Sequence, residues 1–206
     1  MKKTNDYNVV KKGVFALAVV AIVGSTSAVF AQINSQNFNN SDDSGYGNDG
    51  EKAIAALDEF NVSFDTQSST FRASVEDLAS AARQELIAAG AEEQVDEFMM
   101  KFDMATGKYD EAVNDADARF RAAVADAANK AETKDQFIDS FNRAKAEYFN
   151  ELDQAKNDFA AVVSNLGDGA NQAKDRFIGG YNSVRDTYGN QLEQAKNVLA
   201  DKLSNL

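Results

Sequence analysis

The side chains of this sequence that could do chemistry are carboxylates and tyrosine hydroxyls, because the chain has no Cys and no His. Without thiolates and imidazoles, we exclude disulfides, Cys or His nucleophiles and the common zinc sites. Two carboxylates can still act as general acid and general base, but only in a pocket that moves their pKa values apart. The positions of the carboxylates along the secondary structure therefore decide whether such chemistry is available.

The carboxylates occupy positions typical of solvated helix faces. Asp153 with Lys156, and Glu193 with Lys196, are i,i+3 pairs of opposite charge at matching places in the sequence. Each such pair stabilises a helix by about 0.2–0.5 kcal/mol. We expect no carboxylate to point into a core, and no Gly-x-Ser-x-Gly, Walker or dinucleotide-binding loop occurs. The sequence therefore predicts no catalytic, cofactor-binding or metal-binding residue, no cofactor and no enzymatic activity.

The elements that position these groups come from an apolar pattern that recurs four times along the chain. Within each unit the apolar residues are spaced 4, 7, 4, 7 and 4 apart. The four sets, together called the apolar stripe, are Phe60, Phe64, Phe71, Val75, Ala82, Leu86; Phe98, Phe102, Tyr109, Val113, Phe120, Val124; Phe137, Phe141, Tyr148, Leu152, Phe159, Val163; and Phe177, Tyr181, Tyr188, Leu192, Leu199, Leu203. This spacing is an eleven-residue period, about 3.67 residues per turn, which predicts nearly straight helices with slight right-handed coiling.

Turns must separate the units, because steps of 38, 39 and 40 residues are not multiples of eleven. A continuous helix would therefore point its apolar segments in different directions. The segment Thr133-Lys-Asp-Gln136 fits a capping box, Gly90 fits a helix end, and Gly167-Asp168-Gly169 fits a turn. Short turns favour an all-α fold, an antiparallel up-down-up-down four-helix bundle with hendecad-type packing. The predicted helices cover about residues 51–89, 92–128, 134–166 and 171–206.

Three other features of the repeat lead to expectations about packing. Tyr109, Tyr148 and Tyr188 share one repeat position, and we expect their rings in the core and their hydroxyls at its rim. The first half of each unit is aromatic and the second half aliphatic, apart from Phe120 and Phe159, so antiparallel packing would set aromatic against aliphatic residues. Phe149 lies outside the apolar stripe and is either an ordinary exposed aromatic or a contact surface. The glycines within the helices, which mark kinks or close helix contacts, are Gly107, Gly179, Gly180 and Gly189.

The first fifty residues have a different composition. Four lysines precede an apolar run from Val14 to Val23, and Ala31 follows as a small residue at a cleavage position, which predicts a signal peptide over residues 1–31. The run is too short to span a bilayer comfortably. Residues 32–50 are rich in Asn, Ser, Asp and Gly, which predicts a disordered linker before the bundle of residues 51–206.

The charge of the chain limits its partners. The formal net charge is -12, which disfavours nucleic acid because phosphates would be repelled. We therefore expect an exported, non-enzymatic bundle, secreted, extracellular or periplasmic, with a structural or protein-interaction role. Its partner is another protein or a second copy of the chain, and no membrane span remains after signal cleavage.

Two other interpretations stay open. In its eleven-residue period the chain resembles the exchangeable apolipoproteins, which implies an amphiphile or lipid-binding carrier, although the Pro punctuation and basic rim of that family are missing. The segment Lys11-Lys12-Gly13-Val14-Phe15 resembles a type IV prepilin leader, which implies a pilin-like filament subunit that starts at Val14. That family has Glu five residues after the cleavage site, where this chain has Ala18.

Overall fold

The protein is built from four helices in the part that the structure describes. The computed structural model describes residues 47–89, 95–166 and 169–205. The helices are α1 (Gly47–Ala88), α2 (Val95–Lys130), α3 (Lys134–Val163) and α4 (Ala170–Leu203). The described residues contain no strand, so the prediction of an all-α helical bundle is confirmed. The predicted signal peptide and the predicted linker up to residue 46 lie outside the described residues.

The helix boundaries differ from the predicted ones mainly at the start of α1. This helix begins at Gly47, four residues before the predicted start. Adding residues to an existing helix needs no new nucleation, which explains why α1 continues into a segment of poor helix formers. The turn before α3 begins with Thr133, whose side chain accepts a hydrogen bond from the Gln136 backbone N–H. The side-chain oxygen of Gln136 in turn accepts from the backbone N–H of Glu132, 2.8 Å away.

Gly169 makes the turn before α4 possible. Its φ of 78° lies in the left-handed region, which only glycine adopts at no steric cost. A Cβ at this position would also lie only 2.9 Å from the Cβ of Ala89, which follows α1. The predicted turn glycine is therefore required both by backbone conformation and by the close approach of α1.

The apolar stripe forms the core. Every stripe residue whose side chain is described is buried, except Leu203, which is partly buried. Phe98 lies outside the residues whose side chains are described. The rings of Phe64, Phe141 and Tyr181 are 0% exposed, so they are fully shielded from water. Burial at this density supplies the main driving force for the fold.

The two aromatics that interrupt the aliphatic halves complete two ring clusters. Phe120 packs against Phe60, Phe64, Phe141 and Tyr148, with ring centroids 4.8–6.4 Å apart. Phe60 and Phe141 also meet edge to face at 5.8 Å, so the aromatic halves of α1 and α3 contact each other. The expectation that aromatics face aliphatics therefore describes only part of the core.

Phe159 is the ring that joins the other members of the second cluster. Its ring lies 5.4 Å from Phe102, 6.3 Å from Tyr109 and 4.7 Å from Phe177. Pairs of this geometry add about 0.5–1.5 kcal/mol beyond their buried area.

Polar contacts join neighbouring helices at their edges. Between α1 and α2, between α3 and α4, and between α1 and α4, the residue number rises along one helix as that of its partner falls along the other. The pairs are Asp65–Arg121, Arg72–Asn114 and Arg83–Asp103; Lys134–Asp201, Lys145–Glu193 and Asp153–Arg185; and Glu59–Lys202 and Glu85–Arg176. Among the helices described, none has the length and apolar character needed to cross a membrane.

Candidate functional site

A carboxylate lies in the core at the level where all four helices meet. Asp117 is 8% exposed, and its Oδ1 accepts a hydrogen bond from the Tyr148 hydroxyl at 2.6 Å. Its Oδ2 accepts from Ser68 Oγ at 2.8 Å and from the guanidinium of Arg72 at 2.6 Å. The expectation that no carboxylate points inward was therefore wrong. Asp117 can be buried because a charged partner and two hydroxyls replace the water that it loses.

Two of the three repeat-position tyrosines extend this polar cluster. The hydroxyl oxygens of Tyr148 and Tyr188 are 3.1 Å apart, and both side chains are at most 2% exposed. The prediction that these hydroxyls lie at the rim was wrong, because Asp117 provides an acceptor inside the core. We call Ser68, Arg72, Asp117, Tyr148 and Tyr188 the buried polar cluster; it draws on α1, α2, α3 and α4.

The electrostatics of the cluster favour neutral tyrosines. Burial, followed by the neighbouring Tyr188 and Asp117, raises the pKa of Tyr148 well above its ordinary value. Burial and the negative charge of Asp117 likewise raise the pKa of Tyr188. Both hydroxyls therefore act as hydrogen-bond donors at neutral pH, and neither is available as a base. The arrangement suits the joining of helices, since general acid–base work needs a pocket that substrate can enter.

The third tyrosine of the repeat position lies apart from the cluster. Tyr109 is 7% exposed, and its hydroxyl has no hydrogen-bond partner among the described residues. Burial and the nearby Tyr181 raise its pKa well above the ordinary value. Tyr181 itself donates to the backbone carbonyl of Leu152 at 3.0 Å. The same repeat position thus holds tyrosines in two polar environments.

The α3–α4 edge carries two charge triads. Lys145 and Lys196 both donate to Glu193, and these hydrogen bonds lower the pKa of the Glu193 carboxyl. Asp153 pairs with Lys156 at 3.3 Å and with Arg185 at 3.1 Å. The two predicted i,i+3 pairs therefore form, and each carboxylate has a second cation from the facing helix.

Phe149 lies between the two triads. Its ring is only 7% exposed and lies 4.6 Å from the Arg185 guanidinium carbon and 5.8 Å from Lys145 Nζ. A Cβ at Gly189 would lie 3.5 Å from the tip of the Phe149 ring, an ordinary van der Waals contact, so the ring lies close to α4 at this level. The interpretation of Phe149 as an exposed aromatic was wrong, because the ring packs onto α4 against Tyr188 and the Arg185 guanidinium.

An open depression lies over this ring on the α3–α4 edge. It has a volume of about 420 Å³, and Arg185 is one of the residues that line it. We call its lining the α3–α4 patch: Lys145, Phe149, Arg185, Asp186, Gly189 and Asn190. Both of its cations are already paired with carboxylates of the chain, Lys145 with Glu193 and Arg185 with Asp153.

The described residues give little support for a metal-binding site. No cluster of three or more carboxylates there is arranged to hold a metal ion. Of the helical glycines, Gly180 approaches the Leu78 side chain and Gly189 approaches Phe149, whereas Gly107 and Gly179 face open space.

Comparisons with protein-family models, with curated proteins and with solved structures gave no match.

Proposed function

We propose that this chain is an exported, non-enzymatic helical-bundle protein with a structural or protein-interaction role at or outside the cell surface. The observation that carries the proposal is the closed core. The described residues of the apolar stripe are buried within the bundle, apart from the partly buried Leu203. Phe64, Phe141 and Leu152 are 0% exposed, and the core hydroxyls of Tyr148 and Tyr188 are paired with each other and with Asp117. Such a bundle offers its polar outer faces to partners.

The proposed topology is an antiparallel up-down-up-down bundle with nearly straight hendecad packing. It is supported by the edge contacts, in which partner numbers run in opposite directions for α1–α2, α3–α4 and α1–α4. The ring contacts of α1 with α3 run in the same direction, since Phe60 meets Phe141 and Phe64 meets Tyr148. That combination is expected for a ring of four helices with α1 diagonal to α3.

The buried polar cluster also favours a structural role over an enzymatic one. Its carboxylate and hydroxyls are bonded to each other, and the tyrosines are held neutral by burial. An acid–base site would instead need one group poised near neutral pH and accessible to substrate.

Vesicle binding tests the proposal against the lipid-carrier alternative. We expect the purified chain to stay unbound in liposome flotation, and its tyrosine near-ultraviolet circular dichroism to be unchanged by vesicles, because the rings stay packed. The Phe141→Ala variant, with a weakened core, is the control for a bundle that opens more easily. Flotation of the unmodified chain together with a loss of tyrosine signal would establish the carrier instead.

The mass of the exported chain tests the part of the proposal that concerns export. We expect a mature protein that begins at Gln32, since the signal is predicted to be cleaved after Ala31. A start at Val14 would favour the pilin-like subunit, and an uncleaved protein inside the cell would overturn export.

A further inference from the structure

An uncharged surface lies at the edge between α1 and α4. Glu59 of α1 and Arg176 of α4 each form an ion pair across this edge. Thr70 lies one eleven-residue period after Glu59, and Val198 lies two periods after Arg176, so both side chains face the same edge. With the exposed residues one and two turns away they form the neutral face, which consists of Val62, Thr66, Thr70, Asn190, Gln194 and Val198.

The repeat itself does not require the neutral face to be uncharged. The equivalent repeat positions of the other two helices are all exposed and all charged: Asp139, Arg143 and Glu147 in α3, and Glu111, Asp115 and Arg119 in α2. Core packing does not explain the difference, because the apolar stripe is spaced alike in all four units. In a chain with a formal charge of -12, a second copy meets the least repulsion where the surface carries no charge.

The neutral face can be removed from water at low cost. Val62 and Val198 are 67% and 56% exposed, and they are two of the four large apolar side chains that are exposed among the described residues. The hydroxyls of Thr66 and Thr70 already donate to backbone carbonyls of their own helix, at 3.0 and 2.9 Å. The two amide side chains each donate and accept hydrogen bonds, so they can pair with an identical surface.

The six residues form three pairs at matching levels of α1 and α4. Val62 lies three residues after Glu59, and Val198 lies four residues before Lys202, the partner of Glu59. Residue numbers run in opposite directions across this edge, so each further turn of α1 matches an earlier turn of α4. The pairs are Val62 with Val198, Thr66 with Gln194, and Thr70 with Asn190.

We propose that two copies of this chain associate side by side through the neutral face, as a closed dimer with parallel bundles. This inference rests on the proposed structural role and specifies a second copy as the partner. A two-fold axis parallel to the helices sets α1 of one copy against α4 of the other at an unchanged level, so each residue meets its pair partner from the second copy. Because both copies use the same surface, the contact is isologous and ends at two copies.

The charges around the neutral face favour this orientation. Glu59 faces Lys202 of the second copy, and Glu85 faces Arg176, so each ion pair lies against the same pair reversed. These ion pairs are already closed within each copy, so they orient the contact while the neutral face supplies it. A two-fold axis across the helices would instead set α1 on α1 and bring Glu59 near the exposed Asp77, which has the same sign.

Charges introduced into the neutral face provide the test, read by sedimentation velocity of the purified chain over a concentration series. The acidic variant carries Thr66→Glu and Gln194→Glu, which sets carboxylates opposite each other in the dimer. The basic variant carries Thr66→Lys and Gln194→Lys. The matched control carries Ala122→Glu and Asn150→Glu, which add the same charge as the acidic variant at exposed positions of α2 and α3.

We expect the unmodified chain and the control to form dimers. The acidic and the basic variant should each dimerise at least about tenfold more weakly, because like charges then meet in the contact. An equimolar mixture of these two variants should dimerise again, since each carboxylate then meets an ammonium group. Undiminished dimerisation of either variant, an equal loss in the control, or no recovery in the mixture overturns the proposal.

Folding of the variants is checked by thermal melting monitored by circular dichroism. Should a double variant melt early, its Gln194 substitution alone replaces it, since Gln194 is exposed. A chain that is monomeric at every concentration overturns this inference, leaves the proposed structural role in place and leaves the neutral face to a different protein. Remodelling by vesicles would overturn that role instead, so the two failures are distinguishable.

Discussion

The Tyr148 hydroxyl donates to Oδ1 of Asp117 across 2.6 Å, in the core and away from water. The bond joins α3 to α2 at one level of the core. A buried carboxylate that loses a partner is strongly destabilising, so the pair disfavours sliding of one helix along another. The apolar stripe alone would resist such a shift less, because a shift by one eleven-residue period again places apolar residues opposite apolar residues.

Removal of the Tyr148 hydroxyl should therefore cost stability. Tyr148→Phe is expected to lower the free energy of unfolding by about 1.5–3 kcal/mol, because the charged Asp117 carboxylate loses the hydrogen bond that the Tyr148 hydroxyl donates. Tyr109→Phe is the matched control at the same repeat position, where the hydroxyl has no hydrogen-bond partner among the described residues. We expect that change to be neutral or slightly stabilising. Urea unfolding measures both, and equal losses would contradict the special role of the cluster.

Stability should also fall in alkali. Burial raises the folded-state pKa of Tyr109, Tyr148, Tyr181 and Tyr188, so the folded chain keeps protons that the unfolded chain has released. The contribution is fully present below the ordinary tyrosine pKa of about 10 and is lost as pH rises above it, by about 1.4 kcal/mol per pH unit for each tyrosine.

Urea unfolding at a series of pH values measures this slope, and tyrosinate absorbance follows the titration. In the Tyr148→Phe variant, which has one fewer buried hydroxyl to titrate, the free energy of unfolding should fall less steeply with pH, by about 1.4 kcal/mol per pH unit. Titration of the folded chain near pH 10, with no loss of stability beyond it, would show that these hydroxyls are not buried.

The core and surface positions of α3 should respond very differently to truncation. Phe141→Ala is expected to cost about 3–5 kcal/mol, because a ring that is 0% exposed leaves a cavity. Asn150→Ala, on the exposed face, should change the free energy of unfolding by less than about 0.5 kcal/mol. Thermal or urea unfolding distinguishes them, and similar losses at both sites would contradict the assignment of the apolar stripe.

Two adjacent glycines of α4 should respond to alanine by different amounts. A Cβ at Gly179 meets nothing within 4 Å, so Gly179→Ala should stabilise the chain by about 0.5–1 kcal/mol through helix propensity. A Cβ at Gly180 would collide with the end of the Leu78 side chain of α1, which must turn away, so Gly180→Ala should stabilise the chain less than Gly179→Ala. Equal melting temperatures would indicate that α1 and α4 are not in close contact at this level.

The sequence predicted the parts of the fold that depend on local pattern. The stripe spacing identified the core because a helix repeats its faces regularly, and the Thr133 cap followed from a short motif. Asp117 was missed because it lies one residue after the stripe filler Ala116, at a repeat position occupied by Lys156 and Lys196 in the later units. That position flanks the core, and only contacts between helices decide whether its side chain turns inward. The available signal was the charged residue that this core-flanking position carries in three of the four units, Asp117, Lys156 and Lys196.

Phe149 could not be placed from its own helix. Its ring lies outside the apolar stripe of α3, and it is buried because Tyr188 and Arg185 of α4 pack against it. These contacts lie between two helices, and the spacing of residues within one unit carries no information about them.

The contacts of α1 with α4 set a limit on how the repeat could have grown. Glu59 pairs with Lys202 and Glu85 with Arg176, so the first unit is seated against the fourth. In a solenoid each added copy finds a free terminal face, and family members can differ in repeat number. In this protein the side of α4 that a further copy would pack against already contacts α1, so an inserted fifth copy would have to separate α1 from α4. Duplication in this lineage should accordingly produce whole second bundles, and single extra helices should be absent.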